Sequence, residues 1–150
     1  MSRARARVRE TPVASVLVDA SVAVAWFVPE AGSDAALALL RSPRRLIAPD
    51  FLLVETANAL WKRHRRRELH AADADHAMAT LFVLGIQWLP ARDVVVQAGR
   101  LAREIGHPVY DCLYLALARA HDAPLATLDR RVVLAARATD TPLFALKGRA

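Results

Sequence analysis

Short runs of branched apolar residues alternate with longer helix-like stretches along this chain. That alternation restricts the fold more than any other feature. "SVLVD" (15–19), "RLIAP" (45–49), "IQWLP" (86–90) and "PLATLD" (124–129) read as buried strands, and "PLFAL" (142–146) as a further, last strand. Between them, "SVAVAWFV" (21–28) is helical or turn-like up to Pro29, and helices are expected over 33–41, 50–66, 73–85, 92–106, 108–122 and about 130–138. Asp50 is the expected N-cap of the helix at 50–66, Gly85 and Gly106 close two helices, and Pro108 suits the first turn of another. Strands that alternate with helices imply a parallel sheet covered on both faces, an α/β fold. In such sheets ligands sit beyond the carboxyl ends of strands, and Asp19 and Asp129 each stand at one of those ends.

The 150 residues amount to one domain. Residues 1–14 read as a disordered basic arm carrying Arg3, Arg5, Arg7 and Arg9, and 15–150 as the folded unit. Five glycines leave little material for a glycine-rich phosphate loop. The single cysteine, Cys112, excludes an internal disulfide and lies in an apolar helical run, where it reads as a small core residue. The five histidines do not pair at i, i+4 as a helical zinc site requires. "MSRARARVRE" followed by an apolar run has some likeness to a secretion signal, but Asp19 interrupts the apolar part, and the run is too short to cross a membrane. A cytoplasmic location is expected.

Twenty-one Lys and Arg against fifteen Asp and Glu leave a net charge of +6, which favours polyanionic partners. Lys62, Arg63, His64, Arg65, Arg66 and Arg67 form an unbroken basic run that suits a solvated helix end as well as RNA. Most acids occupy polar or boundary positions. Asp19, Glu55, Asp111 and Asp129 do not: they follow "VLV", "LLV", "VY" and "LATL". Three of them have local explanations as caps or first-turn carboxylates. Glu55, read as lying in mid-helix, has none. Asn58, three residues on, shares its helix face. Several carboxylates near one point raise one another's pKa, and a divalent cation resolves the repulsion. Mg²⁺ or Mn²⁺ takes carboxylate and water oxygens and serves phosphodiester hydrolysis.

"VLVDASV", "LLVETANALWK", "VYDCLYLALA" and "LATLDRRV" stand in the order and spacing of the four blocks of PIN domains. From about Val16 to Leu146 the chain resembles that family, and in particular the VapC-type toxins of prokaryotic toxin–antitoxin pairs. The resemblance implies a three-layer α/β/α sandwich with a mostly parallel sheet. It implies a metal-dependent endoribonuclease acting on structured RNA of the tRNA or rRNA class. Asp19 and Asp111 would be the main Mg²⁺ (or Mn²⁺) ligands, with Glu55 and Asp129 completing the catalytic quartet. Thr127, Ser21 and Asn58 would support the site through hydrogen bonds. Lys62, Arg63, Arg65, Arg66 and Arg67 are the candidates for holding RNA. A homodimer is implied, silenced by a small cognate antitoxin; "AVAWFV" and "AALALL" read either as a groove for it or, at least as well, as core packing. Other α/β folds with an Asp after the first strand fit less well. A phosphoacceptor receiver would want paired acids there, and a haloacid-dehalogenase-like phosphatase an Asp where Ser21 stands. The alternative from another class is an α/β domain that binds nucleic acid without catalysis.

Overall fold

The computed structural model describes residues 13–148. The expected arm falls almost wholly outside them. Four strands form one sheet: β1 (Ser15–Val18), β2 (Arg45–Pro49), β3 (Gln87–Leu89) and β4 (Leu125–Ala126). Their spatial order is β3-β2-β1-β4 and every pairing is parallel. Parallel neighbours need crossovers, and the helices provide them. Helices α1 (Ala20–Phe27) and α2 (Ser33–Leu40) link β1 to β2, and α3 (Leu52–Arg65) with α4 (Ala71–Val83) links β2 to β3. A short 3-10 turn (Ala91–Asp93), α5 (Val95–Ile105) and α6 (Val109–Ala120) carry the chain back across the sheet to β4, and α7 (Arg130–Ala138) follows.

The first two crossovers step outward from β1 in one direction, and the third jumps to its other side. With the right-handed crossovers that such units adopt, this reversal puts the early helices on one face and α5 and α6 on the other. It also makes the β1/β4 boundary a topological switch point, where a crevice opens beyond the carboxyl ends of the strands. Backbone hydrogen bonds pin that boundary: the Asp19 N–H donates to Ala126 O (3.2 Å) and the Leu17 N–H to Pro124 O (3.0 Å).

The core is continuous from the sheet into α6. Val16, Leu17 and Val18 on β1 and Leu125 and Ala126 on β4 are wholly buried, as near-unbroken apolar strands of a covered parallel sheet should be. In α6 every residue from Asp111 to Ala118 is buried, so this helix is a core element with no solvated stripe over that length. Cys112 lies within it as a core residue, its thiol pushed above 9.0 mainly by burial.

Several sequence expectations are corrected. Helix α3 begins at Leu52, with Phe51 at its cap position; Asp50 instead accepts a hydrogen bond from the Ala91 N–H (3.1 Å), tying the end of β2 to the turn after β3. Glu55 therefore stands in the first turn of α3 and not in mid-helix, where the helix dipole favours an acid. The last apolar run forms a lone bridge, Leu125 to Leu143, and no full strand. The "AVAWFV" and "AALALL" stretches are largely core: Ala23, Val24, Ala25, Trp26, Ala35, Ala36 and Leu39 are buried, and the Trp26 indole N–H donates to Ala36 O (2.9 Å). Apolar residues on facing helices bury each other first, so most of the expected groove lining is taken up between α1 and α2.

Candidate active site

Four chain segments carry the candidate acids, and the charges of three of those acids reach the fourth, Glu55. Asp19 directly follows β1, Glu55 is in the first turn of α3, Asp111 in the first turn of α6, and Asp129 precedes α7. Each thus lies at or near a helix N-terminus, where free N–H groups and the aligned peptide dipoles favour negative charge.

Asp19 is 3% exposed. It caps α1 by accepting from the Val22 N–H (3.2 Å), and the Ser21 hydroxyl donates to the same oxygen, Oδ1, at 2.5 Å. Thr127 Oγ1 donates to Oδ2 at 2.5 Å across 108 residues of sequence. These donors favour the charged form, but removal from water outweighs them, and the Asp19 pKa rises from 3.8 to about 6. Ser21 also accepts from the Leu128 N–H (2.8 Å), and Thr127 from the Asp129 N–H (3.0 Å). Two hydroxyls thereby lock the β1–α1 turn to the β4–α7 turn. Both hydroxyls also bond the Asp19 carboxylate.

Asp129 caps α7 through the Arg131 N–H (2.8 Å), with the Arg131 guanidinium 3.8 Å from its other oxygen. Asp111 is paired through Oδ2 with His107 Nε2 at 2.8 Å, one helical turn earlier in sequence. Glu55 takes a hydrogen bond on Oε2 from the Tyr114 hydroxyl (2.5 Å). Burial, followed by the charges of Asp19, Asp111 and Asp129, raises its pKa from 4.5 to about 7, against the Tyr114 bond that lowers it. The Tyr114 hydroxyl is itself held protonated, well above 10, by burial and by the charges of Glu55 and Asp19.

Glu55 thus feels the charges of the other three acids, and Asp19 that of Asp129. As placed, the four carboxylates do not form a coordination shell: among the described residues no three His, Cys, Asp or Glu side chains are arranged to hold one metal ion. The donor set nevertheless fits a hard divalent cation in its chemistry, being all carboxylate and carrying repulsion that a cation relieves.

Asn58 is exposed one turn beyond Glu55, and among the described residues it makes no hydrogen bond to any of the four acids. Arg63 is drawn into ion pairs with Glu30 and Glu68, and His64 Nδ1 faces Leu69 O (3.0 Å). Lys62, Arg65, Arg66 and Arg67 remain exposed. Lys62, Arg65 and Arg66 line a shallow cleft with Trp61, and the Arg65 guanidinium lies 4.9 Å from the indole ring centre. Sequence reasoning passed over His107 and Tyr114. Their signals were spacing: four residues before Asp111 and three after it put both on its helix face or at its entry.

Comparison with known proteins agrees with this architecture. The profile of the family described as PIN domain matches residues 16–138. Ribonuclease VapC3 of Pyrobaculum aerophilum is 34% identical over 129 residues, covering 85% of this chain and 98% of the relative. Among solved structures, PAE2754 from Pyrobaculum aerophilum superposes with a TM-score of 0.63 at 26% identity, over 82% of this chain and 84% of the other. VapC20 of Mycobacterium tuberculosis, described as a sarcin-ricin loop cleaving toxin, gives 0.67 at 20% identity, over 89% and 99%. At that identity the likeness speaks for the fold. With a profile that matches residues 16–138 and a relative 34% identical over most of both chains, this chain belongs to the PIN domain family.

Proposed function

We propose that the chain is an endoribonuclease, dependent on Mg²⁺ or Mn²⁺, that hydrolyses phosphodiester bonds in structured RNA as the toxin of a toxin–antitoxin pair. The observation that carries the reading is Glu55, partly buried in a net basic protein, on which the charges of Asp19, Asp111 and Asp129 all act. A domain that only binds a polyanion gains nothing from acids so placed. The ribonuclease name of the VapC3 relative and the RNA-loop cleavage ascribed to VapC20 support the same class of activity. FitAcB from Neisseria gonorrhoeae shares the fold, with a TM-score of 0.58 at 19% identity over 87% of this chain and 96% of the other. A cognate antitoxin, a homodimer and a cytoplasmic setting complete the proposal. Among the described residues no helix is long and apolar enough to cross a membrane.

In this mechanism Asp19 and Asp111 hold the cation, with Glu55 and Asp129 completing the site. When bound, the cation supplies Lewis-acid charge stabilisation and a lowered pKa for water at the scissile phosphate. Ser21 and Thr127 fix both Asp19 oxygens, so that carboxylate is oriented before substrate arrives. His107 does the same for one oxygen of Asp111. The test is cleavage of total RNA by the purified chain. Cleavage with Mg²⁺ or Mn²⁺ that stops in excess chelator is expected. RNA binding without cleavage under every divalent condition would favour the non-catalytic reading.

Lys62, Arg65 and Arg66, with Arg67 beside them, are the proposed phosphate contacts, and Trp61 offers a half-exposed ring beside the guanidinium of Arg65. Arg63 serves chiefly to hold α3 to Glu30 and Glu68. Replacing Lys62, Arg65 and Arg66 together by Ala should weaken RNA binding at least ~10-fold at low salt. It should also flatten the slope of log affinity against log salt by roughly 2–3. Filter binding across a salt series checks both; an unchanged slope would remove this cleft from the RNA path.

A further inference from the structure

We infer that Tyr114 is a positioning residue that sets the Glu55 carboxylate in the metal site; the inference rests on the metal-site reading above. Three of the four acids have an orienting partner close by in sequence. Asp19 has Val22 N and Ser21, Asp129 has Arg131 N, and Asp111 has His107. Glu55 has none: among the described residues its side chain has a single hydrogen-bond partner, the Tyr114 hydroxyl, 59 residues away in sequence. The same hydroxyl accepts from the Ala20 N–H (3.2 Å), directly after Asp19. Tyr114 is rooted in α6 one turn beyond Asp111. A single phenol oxygen thereby joins the segments that carry Asp19, Glu55 and Asp111.

The geometry is held from both ends of the ring. Tyr114 is 2% exposed, and its ring packs on Phe51 with centres 5.0 Å apart and planes at 52°. Phe51 occupies the cap position of α3, so the ring also fixes where that helix begins. A buried phenol needs a partner for its O–H, and a carboxylate acceptor makes the bond a strong, directional one. A tyrosine serving the core alone would be satisfied by any carbonyl. Here it bonds the one acid of the quartet that lacks a neighbour of its own.

The Tyr114→Phe variant keeps the ring and its contact with Phe51 and deletes only the hydroxyl. Mn²⁺ binding to the RNA-free protein, read from the EPR signal of free Mn²⁺, should weaken roughly 10-fold. RNA turnover should fall about 10- to 100-fold in kcat, with KM for RNA within about 2-fold of the parent. In a Glu55→Ala background the added Tyr114→Phe change should leave Mn²⁺ affinity where Glu55→Ala alone puts it, because the tyrosine acts through Glu55. Mn²⁺ affinity at the parent value in Tyr114→Phe would overturn the inference. So would an equal loss with and without Glu55. The Mn²⁺ measurement needs no RNA, so failure of the ribonuclease reading alone leaves this result standing.

Discussion

RNA cleavage by the Asp19→Asn variant falls by more than ~100-fold, while its melting temperature without divalent ions stays at or above that of the parent. The two halves of this expectation come from the same burial. Asp19 is 3% exposed, and its pKa stands at about 6, so at neutral pH the fold carries a carboxylate that would be better off neutral. Asparagine keeps an oxygen for Val22 N and Ser21 and presents an amide to Thr127, whose hydroxyl can turn to accept. The folded state loses an uncompensated charge and little else. The proposed site loses its most buried anionic ligand, and even partners one step removed from a metal contribute about 10–100-fold. Cleavage assays on a defined structured RNA, paired with calorimetry in EDTA, measure both. Activity within about 3-fold of the parent would refute the mechanism, and a collapse of stability would leave Asp19 as a helix cap.

A divalent cation should raise the melting temperature strongly at pH 8 and barely at pH 5. For an acid whose pKa is raised on folding, the native state holds its proton where the unfolded chain has released it. Stability is therefore undiminished below the unfolded value and declines as pH climbs to the folded one. For Asp19 that window runs from 3.8 to about 6, and for Glu55 from 4.5 to about 7. The Asp19 shift alone corresponds to about 3 kcal/mol of stability lost by pH 8 in the absence of cations. A bound cation favours the ionised pair and returns stability only where that pair is ionised. At an ion concentration near 100 times Kd the gain is about 2.7 kcal/mol, or roughly 5–10 °C for a chain of this size. At pH 5 both acids are mostly protonated and the expected gain is under about 2 °C. Scanning calorimetry in Mn²⁺ and in EDTA at the two pH values decides it. Equal gains at both would place the cation away from Asp19 and Glu55.

The sheet and its helices were legible in the sequence because burial on both faces leaves a local mark. β2 and α7 have the expected bounds, since "RLIAP" and the stretch after Asp129 are bracketed by clear polar stops. β4 is shorter than expected, and the run around Leu143 makes one bridge. Apolar character there reports burial without saying whether a partner strand is in register. The start of α3 was misplaced by two residues because Asp50 looks like a cap, whereas its carboxylate is claimed by Ala91 N, 41 residues away. No local pattern carries that competition.

The candidate site divides the same way. That Asp19, Glu55, Asp111 and Asp129 are unusual acids was readable from their apolar neighbours, since an unpaired charge in such a setting is costly. The class of fold and the family likeness followed from order and spacing alone. The partners of those acids did not. Thr127 reaches Asp19 across 108 residues, Tyr114 reaches Glu55 across 59, and Asn58, on Glu55's own helix, stays in solvent. A helix face says which residues can meet along one element; only the packing of α6 against the sheet selects which of them meet across elements. Composition and periodicity therefore marked a parallel sheet and four acids in apolar settings, two of them at strand ends, and the family resemblance grouped all four. The tertiary structure decided which hydroxyls hold them, because those bonds close loops of dozens of residues whose geometry exists only once the core is formed.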